Sequence, residues 1–180
     1  MNQPIVLIYH SKTGMTEKYA KWLCEELPCA LVPYQDRNNT DLAAYDAVIY
    51  AGGFHAGKIS GISWLKTKLP QLAGKTVFVL ATGASPADSP GVQDALDGNF
   101  TPDERELLRA FYVQSGLCYE KMGPVDKLMM AVFRAMVKKA EGSDSETYQA
   151  ICHSFDHSTK EALHPLIQFL KSQMKLAEHE

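Results

Sequence analysis

Long apolar runs are missing from this chain. Nowhere does it approach the roughly 18 uninterrupted apolar residues of a membrane-crossing helix, so no span is expected. An excess of basic charge is missing too: 18 Lys and Arg stand against 21 Asp and Glu, a formal net charge of -3. A nucleic-acid surface, which rests on a clear basic excess, is therefore not expected. Cysteine is sparse and unpatterned. Cys24, Cys29, Cys118 and Cys152 include no C-x-x-C pair, which predicts reduced thiols in a cytosolic protein. No charged-then-apolar leader precedes the first strand pattern, so a cleaved signal segment is not expected either. Repeats, low-complexity tracts and linkers are absent, which predicts a single domain over residues 1–180.

What is present reads as alternating strands and helices. Pro4–Tyr9 is a short continuous apolar and β-branched run, as expected of a strand buried on both faces. Tyr19, Trp22, Leu23 and Leu27 then recur at helical spacing over Thr16–Leu27, and Pro28 stops the helix. Further strands are predicted at Cys29–Tyr34, Asp46–Ala51, Thr76–Ala81 and about Ala110–Gln114. Between them lie a helix carrying Ile62, Leu65 and Leu69, closed by Pro70, and a capping box at Thr101-Pro102-Asp103-Glu104. Such alternation with short joints implies an α/β domain with a doubly wound, five-stranded parallel sheet.

Beyond the fifth strand the chain carries more than a five-stranded sheet needs. Pro124–Ala140 is a predicted helix with Val125, Leu128, Met129, Val132, Met136 and Val137 in one broad stripe. The turn signal Glu141-Gly142-Ser143-Asp144 follows it. Another helix is predicted over Glu146–Phe155, and a terminal one around Lys160–Lys175 that Pro165 should kink or restart. Residues 117–156 thus form a helical insertion.

Ligands of open parallel sheets sit at the carboxyl ends of the strands, where strand order reverses. Three loops meet there. The first, His10-Ser11-Lys12-Thr13-Gly14-Met15-Thr16, puts three hydroxyls and one glycine at a helix N-terminus. The free N–H groups and positive dipole end suit an anion, and the short donors suit a terminal phosphate monoester. A Ser/Thr-rich cap without a ligand has the same composition. G-x-G-x-x-G, the pyrophosphate-binding pattern, is absent.

The second loop, Gly52-Gly53-Phe54-His55-Ala56-Gly57-Lys58-Ile59, nearly spells a nucleotide-binding G-x-x-x-x-G-K-[ST] sequence. Ile59 stands where the magnesium-ligating hydroxyl should be, and Ser60 comes one place too late. The fourth strand ends in Ala81-Thr82-Gly83, without an acidic residue, so a triphosphate site is not expected. The third loop is Thr82-Gly83-Ala84-Ser85-Pro86. Two other chemistries on this fold fail on residues. A phosphoacceptor needs Asp after strand three, where Ala51-Gly52-Gly53 stands, and a Cys-x5-Arg phosphatase needs a first-loop Cys. His153 and His157 are four apart, the spacing that puts two imidazoles on one helix face, but they straddle a predicted helix end and no third metal ligand accompanies them.

Ser11-Lys12-Thr13-Gly14-Met15-Thr16 resembles the flavodoxin phosphate motif, [ST]-x-T-G-x-T, at the family's usual place after the first strand. The resemblance implies strand order 2-1-3-4-5 and FMN as cofactor. It gives the phosphate to Ser11, Thr13, Gly14 and Thr16, with Lys12 and Met15 in the same loop. Gly53, Phe54, His55, Ala56 and Gly57 would lie beside the flavin ring, and Thr82, Gly83, Ala84 and Ser85 on its other side. Many flavodoxins stack an aromatic residue from that third loop, which has none here. Tyr119, past the fifth strand, is the nearest substitute.

Within the family the chain is similar to the menaquinone-dependent protoporphyrinogen oxidases. The similar features are the glycine-rich second loop, Gly116-Leu117-Cys118-Tyr119, the methionine-rich helix Asp126–Lys139, and Gly142-Ser143-Asp144. The resemblance implies an FMN redox protein transferring electrons, with the oxidase of a tetrapyrrole and quinone as alternative and an NAD(P)H quinone reductase as a weaker one. Carrier flavodoxins are strongly acidic, and this chain is nearly neutral. Lys121, Lys127, Arg134, Lys138 and Lys139 outnumber Glu120, Asp126 and Glu141 around the insertion helix. Its stripe either packs on the sheet or meets a redox partner, a quinone, or the inner face of the cell membrane.

Overall fold

The computed structural model describes residues 4–177. Strands β1 (Ile5–His10), β2 (Cys29–Pro33), β3 (Ala47–His55), β5 (Thr76–Gly83) and β6 (Arg109–Gln114) form a parallel sheet in the order β2-β1-β3-β5-β6. This is the doubly wound, five-stranded α/β sheet with order reversal between β1 and β3. The short strand β4 (Lys58–Ile59) pairs antiparallel with the end of β3, His55 opposite Lys58.

Continuous apolar strands follow from burial on both faces. Ile5 and Leu7 point into one core, with Tyr19, Leu23 and Leu166 of helices α1 (Met15–Glu26) and α7 (His164–Ala177). Val6 and Ile8 point into the other, with Leu65 of α2 (Ile62–Lys68) and Leu96 of α3 (Val92–Asp97). Each fully buried Leu or Ile contributes about 1.5–3 kcal/mol, so a polar residue at any of these positions is costly. The capping box forms as read: Thr101 accepts from the Glu104 N–H, and the Glu104 carboxylate accepts from the Thr101 N–H, starting α4 (Pro102–Leu107). Pro165 sits at the second residue of α7 and resets its start rather than kinking it.

The thiol expectation is corrected. Cys24 in the last turn of α1 and Cys29 at the head of β2 are joined as a disulfide, with Cα atoms 5.3 Å apart. A reversal over only Glu25–Pro28 brings two elements within bridging reach, which C-x-x-C spacing is not needed to do. Cys118 and Cys152 are free thiols.

The chain forms two compact units, Met1–Ser115 with Ser158–Glu180, and Gly116–His157. In the second, β7 (Gly116–Leu117) pairs antiparallel with β8 (Phe155–Asp156), and between them lie α5 (Pro124–Glu141) and α6 (Glu146–Ile151). The α6 helix ends at Ile151, short of the predicted Phe155, so His153 and His157 both lie beyond it. On α5 only Val137 is buried; Val125, Leu128, Met129, Val132, Phe133 and Met136 are 46–69% exposed. No helix among the described residues is long and apolar enough to cross a membrane.

Candidate functional site

All three loops leave the carboxyl ends of β1, β3 and β5, which are adjacent in the sheet. The first loop turns into α1 through Gly14, whose φ of 91° closes the turn, and the Ser11 hydroxyl accepts from the Gly14 N–H at 3.0 Å. No side chain caps α1. Its ladder begins with the Lys18 N–H donating to the Gly14 carbonyl at 3.0 Å. The N–H groups of Met15, Thr16 and Glu17 precede that bond and have no helical acceptor. Thr16 is placed differently from a solvent-facing phosphate ligand. It is 3% exposed, and its hydroxyl shares a 2.8 Å hydrogen bond with that of Thr82, also 3% exposed. This bond ties the first turn of α1 to the end of β5.

The second loop is a hairpin rather than an open loop. β3 continues through Phe54 and His55, turns over Ala56 (φ 48°) and Gly57 (φ 74°), and returns as β4. Close side chains also limit what can stand at two of the glycines. A Cβ on Gly53 would lie 2.8 Å from His55 Nε2, and one on Gly83 would lie 2.6 Å from the Tyr112 hydroxyl. His55 and Tyr112 therefore occupy the space over those two backbone positions.

Tyr112 on β6 is a residue the sequence did not single out. Its hydroxyl donates to the Ser85 carbonyl at 2.7 Å, and its ring meets Phe54 edge-on at 5.5 Å. Burial pushes its phenol up to about 12, partly opposed by the bond to Ser85. Gln114 Nε2 donates to the Ala84 carbonyl at 3.2 Å, and the Ser115 N–H and hydroxyl to that of Gly83 at 2.6 and 3.2 Å. Three successive carbonyls of the third loop thus face β6. Peptide planarity turns the N–H groups of Ala84 and Ser85 the opposite way from the Gly83 and Ala84 carbonyls. That orientation had no sequence signal, since it depends on partners about 30 residues away.

Tyr119 lies in the second unit. Its hydroxyl donates to the Ile151 carbonyl, and the Arg134 guanidinium lies 5.3 Å from its ring centre. Burial raises its phenol above the ordinary value.

His10, the last residue of β1, stacks on Tyr34 with ring centres 4.3 Å apart, and its Nδ1 is buried without a hydrogen-bond partner. Burial holds its imidazole below the usual 6.5, helped by the Lys12 and Arg37 charges and opposed by the Ser60 carbonyl. The unfolded chain therefore takes up this proton first as pH falls, so His10 contributes stability above about pH 6.5 that is lost on acidification. Denaturant midpoints measured from pH 7.5 to 5 should fall more steeply in the native protein than in His10→Asn. Parallel profiles would remove His10 from this account.

The family profile described as Flavodoxin domain matches residues 6–145. Among solved structures the chain is similar to a candidate flavoprotein from Bacteroides uniformis, at 15% identity and a TM-score of 0.47 over 63% of this chain and 92% of that one. It is also similar to the Trp repressor binding protein from Bacillus subtilis, at 17% identity and a TM-score of 0.44 over 62% and 83% of the two chains. A candidate flavoprotein from Bacteroides eggerthii shares 16% identity and a TM-score of 0.40 over 75% and 96%. No curated protein sequence matches the chain.

Proposed function

Since the chain belongs to the flavodoxin domain family, whose profile spans most of its length, we propose that it is an FMN-dependent redox protein. The family implies a flavin cofactor, which when bound supplies electron transfer. The observation that carries FMN is the uncapped N-terminus of α1. The N–H groups of Met15, Thr16 and Glu17, with the hydroxyls of Ser11 and Thr13, make a donor set suited to a phosphate monoester. Lys12 adds positive charge beside it. Ala84 and Ser85 would offer N–H donors to the oxygens and nitrogens of the ring. Phe54, His55, Ala56 and Gly57 bound it on the second-loop side. Thr16 offers its backbone N–H, while its hydroxyl meets that of Thr82.

The oxidase reading has one observation in its favour. The apolar side chains of α5 are exposed, contrary to a helix that only covers a core. In that reading the protein is cytoplasmic, its α5 face meets a tetrapyrrole, a quinone or the inner membrane face, and a bound flavin would supply the electron transfer between protoporphyrinogen and menaquinone. Leu128 is 67% exposed, so Leu128→Ser should cost no more than about 0.5 kcal/mol.

The test is a reconstitution of apoprotein with FMN, followed by anaerobic photoreduction. Bound flavin that cycles between oxidised and reduced states is expected; flavin that stays free sinks the proposal. Adding protoporphyrinogen and menaquinone then separates the readings. Turnover that falls at least several-fold in Leu128→Ser supports the oxidase, and no turnover supports a redox protein serving another partner.

A further inference from the structure

Asn99 lies two residues beyond α3 and is 6% exposed, a burial that an amide tolerates only when its polar atoms are bonded. They are. Its Oδ1 accepts from the Ile59 N–H at 3.0 Å, and its Nδ2 donates to the Gly57 carbonyl at 2.9 Å and to the Ala95 carbonyl at 2.8 Å. Two of these bonds reach across about 40 residues to the second loop.

What they hold is an unusual turn. His55 pairs with Lys58, leaving Ala56 and Gly57 as a two-residue connection with positive φ at both positions. Tight hairpins of this kind favour Asn-Gly or Asp-Gly, because a side chain with a Cβ is strained there. Ala56 is the one non-glycine residue with positive φ among the described residues. Nothing in its own side chain favours the conformation, so an external brace is needed, and Asn99 is that brace.

We propose that Asn99 is a positioning residue of the flavin site: by clamping the Ala56–Gly57 turn, it presets the second loop for the ring. The inference rests on the flavin reading. A loop held in its binding conformation loses less freedom when a ligand arrives, so the brace should show in affinity and in the environment of the bound flavin.

The experiment compares native protein, Asn99→Ala, Ala56→Gly and the double variant for FMN affinity, the midpoint potential of the bound flavin and its visible circular dichroism. All are read well below each protein's unfolding temperature. Asn99→Ala should weaken FMN binding about tenfold, as expected for loss of a buried hydrogen bond, and shift both the potential and the dichroism. Ala56→Gly relieves the strain without the brace, so the loss caused by Asn99→Ala should shrink in the Ala56→Gly background. Should Asn99→Ala fail to fold, Asn99→Ser is read instead. Its shorter hydroxyl cannot bond Ile59 and Gly57 together, and it should show the same changes. Native affinity, potential and dichroism in the folded Asn99 variant would overturn the inference. So would a loss that is undiminished in the Ala56→Gly background. Native protein that binds no flavin brings down the flavin reading, and this inference with it; native binding with unaffected variants overturns the inference alone.

Discussion

Apoprotein is expected to bind FMN at least a hundredfold more tightly than riboflavin, which differs only in lacking the phosphate. The first loop offers the N–H groups at the head of α1, a 12-residue helix without a side-chain cap, and the hydroxyls of Ser11 and Thr13. A hydrogen bond to a charged group is worth about 1.5–3 kcal/mol, so two such bonds alone give about 3–6 kcal/mol. At about 1.4 kcal/mol per tenfold, that range exceeds a hundredfold. The helix dipole adds to it and is weakened by salt. Fluorescence titrations with FMN and riboflavin at two ionic strengths measure the difference. Equal affinities would place the phosphate outside the first loop.

A second large effect is expected at Gly61, where the second loop enters α2. Its φ is 73°, and a Cβ there would run into the Tyr50 hydroxyl while lying 2.7 Å from His10 Nδ1 and 2.9 Å from the Tyr34 ring. The Tyr50 hydroxyl also donates to the Ser60 carbonyl at 2.7 Å, which fixes it in place. Gly61→Ala therefore meets two costs. Left-handed backbone costs an L-residue about 1–2 kcal/mol, and overpacking costs about 1–3 kcal/mol, so the variant should lose about 2–5 kcal/mol. Gly74 separates the two effects, since its φ is 81° but no atom lies within 4 Å of an added Cβ. Gly74→Ala should lose only the backbone part. Urea midpoints that fall equally for both variants would contradict the packing argument.

The sheet was legible because its strands are buried on both faces, and runs such as Ile5–Ile8 have few other uses. Capping chemistry was legible for the same kind of reason: Thr101 and Glu104 act within one turn of each other. Local patterns also located all three loops. Their shapes were not legible, because distant partners decide them. Spacing finds a glycine-rich loop at Gly52–Ile59 but not its hairpin, whose return strand Asn99 holds from about 40 residues away. The third loop carries no aromatic residue of its own, and Tyr112 reaches it from the next strand. The Thr16 hydroxyl meets that of Thr82, a partner 66 residues away. The Cys24–Cys29 bridge escaped notice because it depends on where a short reversal lands, which spacing alone does not give.

Amide hydrogen exchange with and without FMN tests most directly the claim that three adjacent loops hold one flavin, with its phosphate at the head of α1. Binding is predicted to slow exchange at Thr13–Glu17, in the hairpin around Ala56–Gly57, and at Ala84 and Ser85. Protection confined to other parts of the chain, or none in the first loop at saturating FMN, would contradict it.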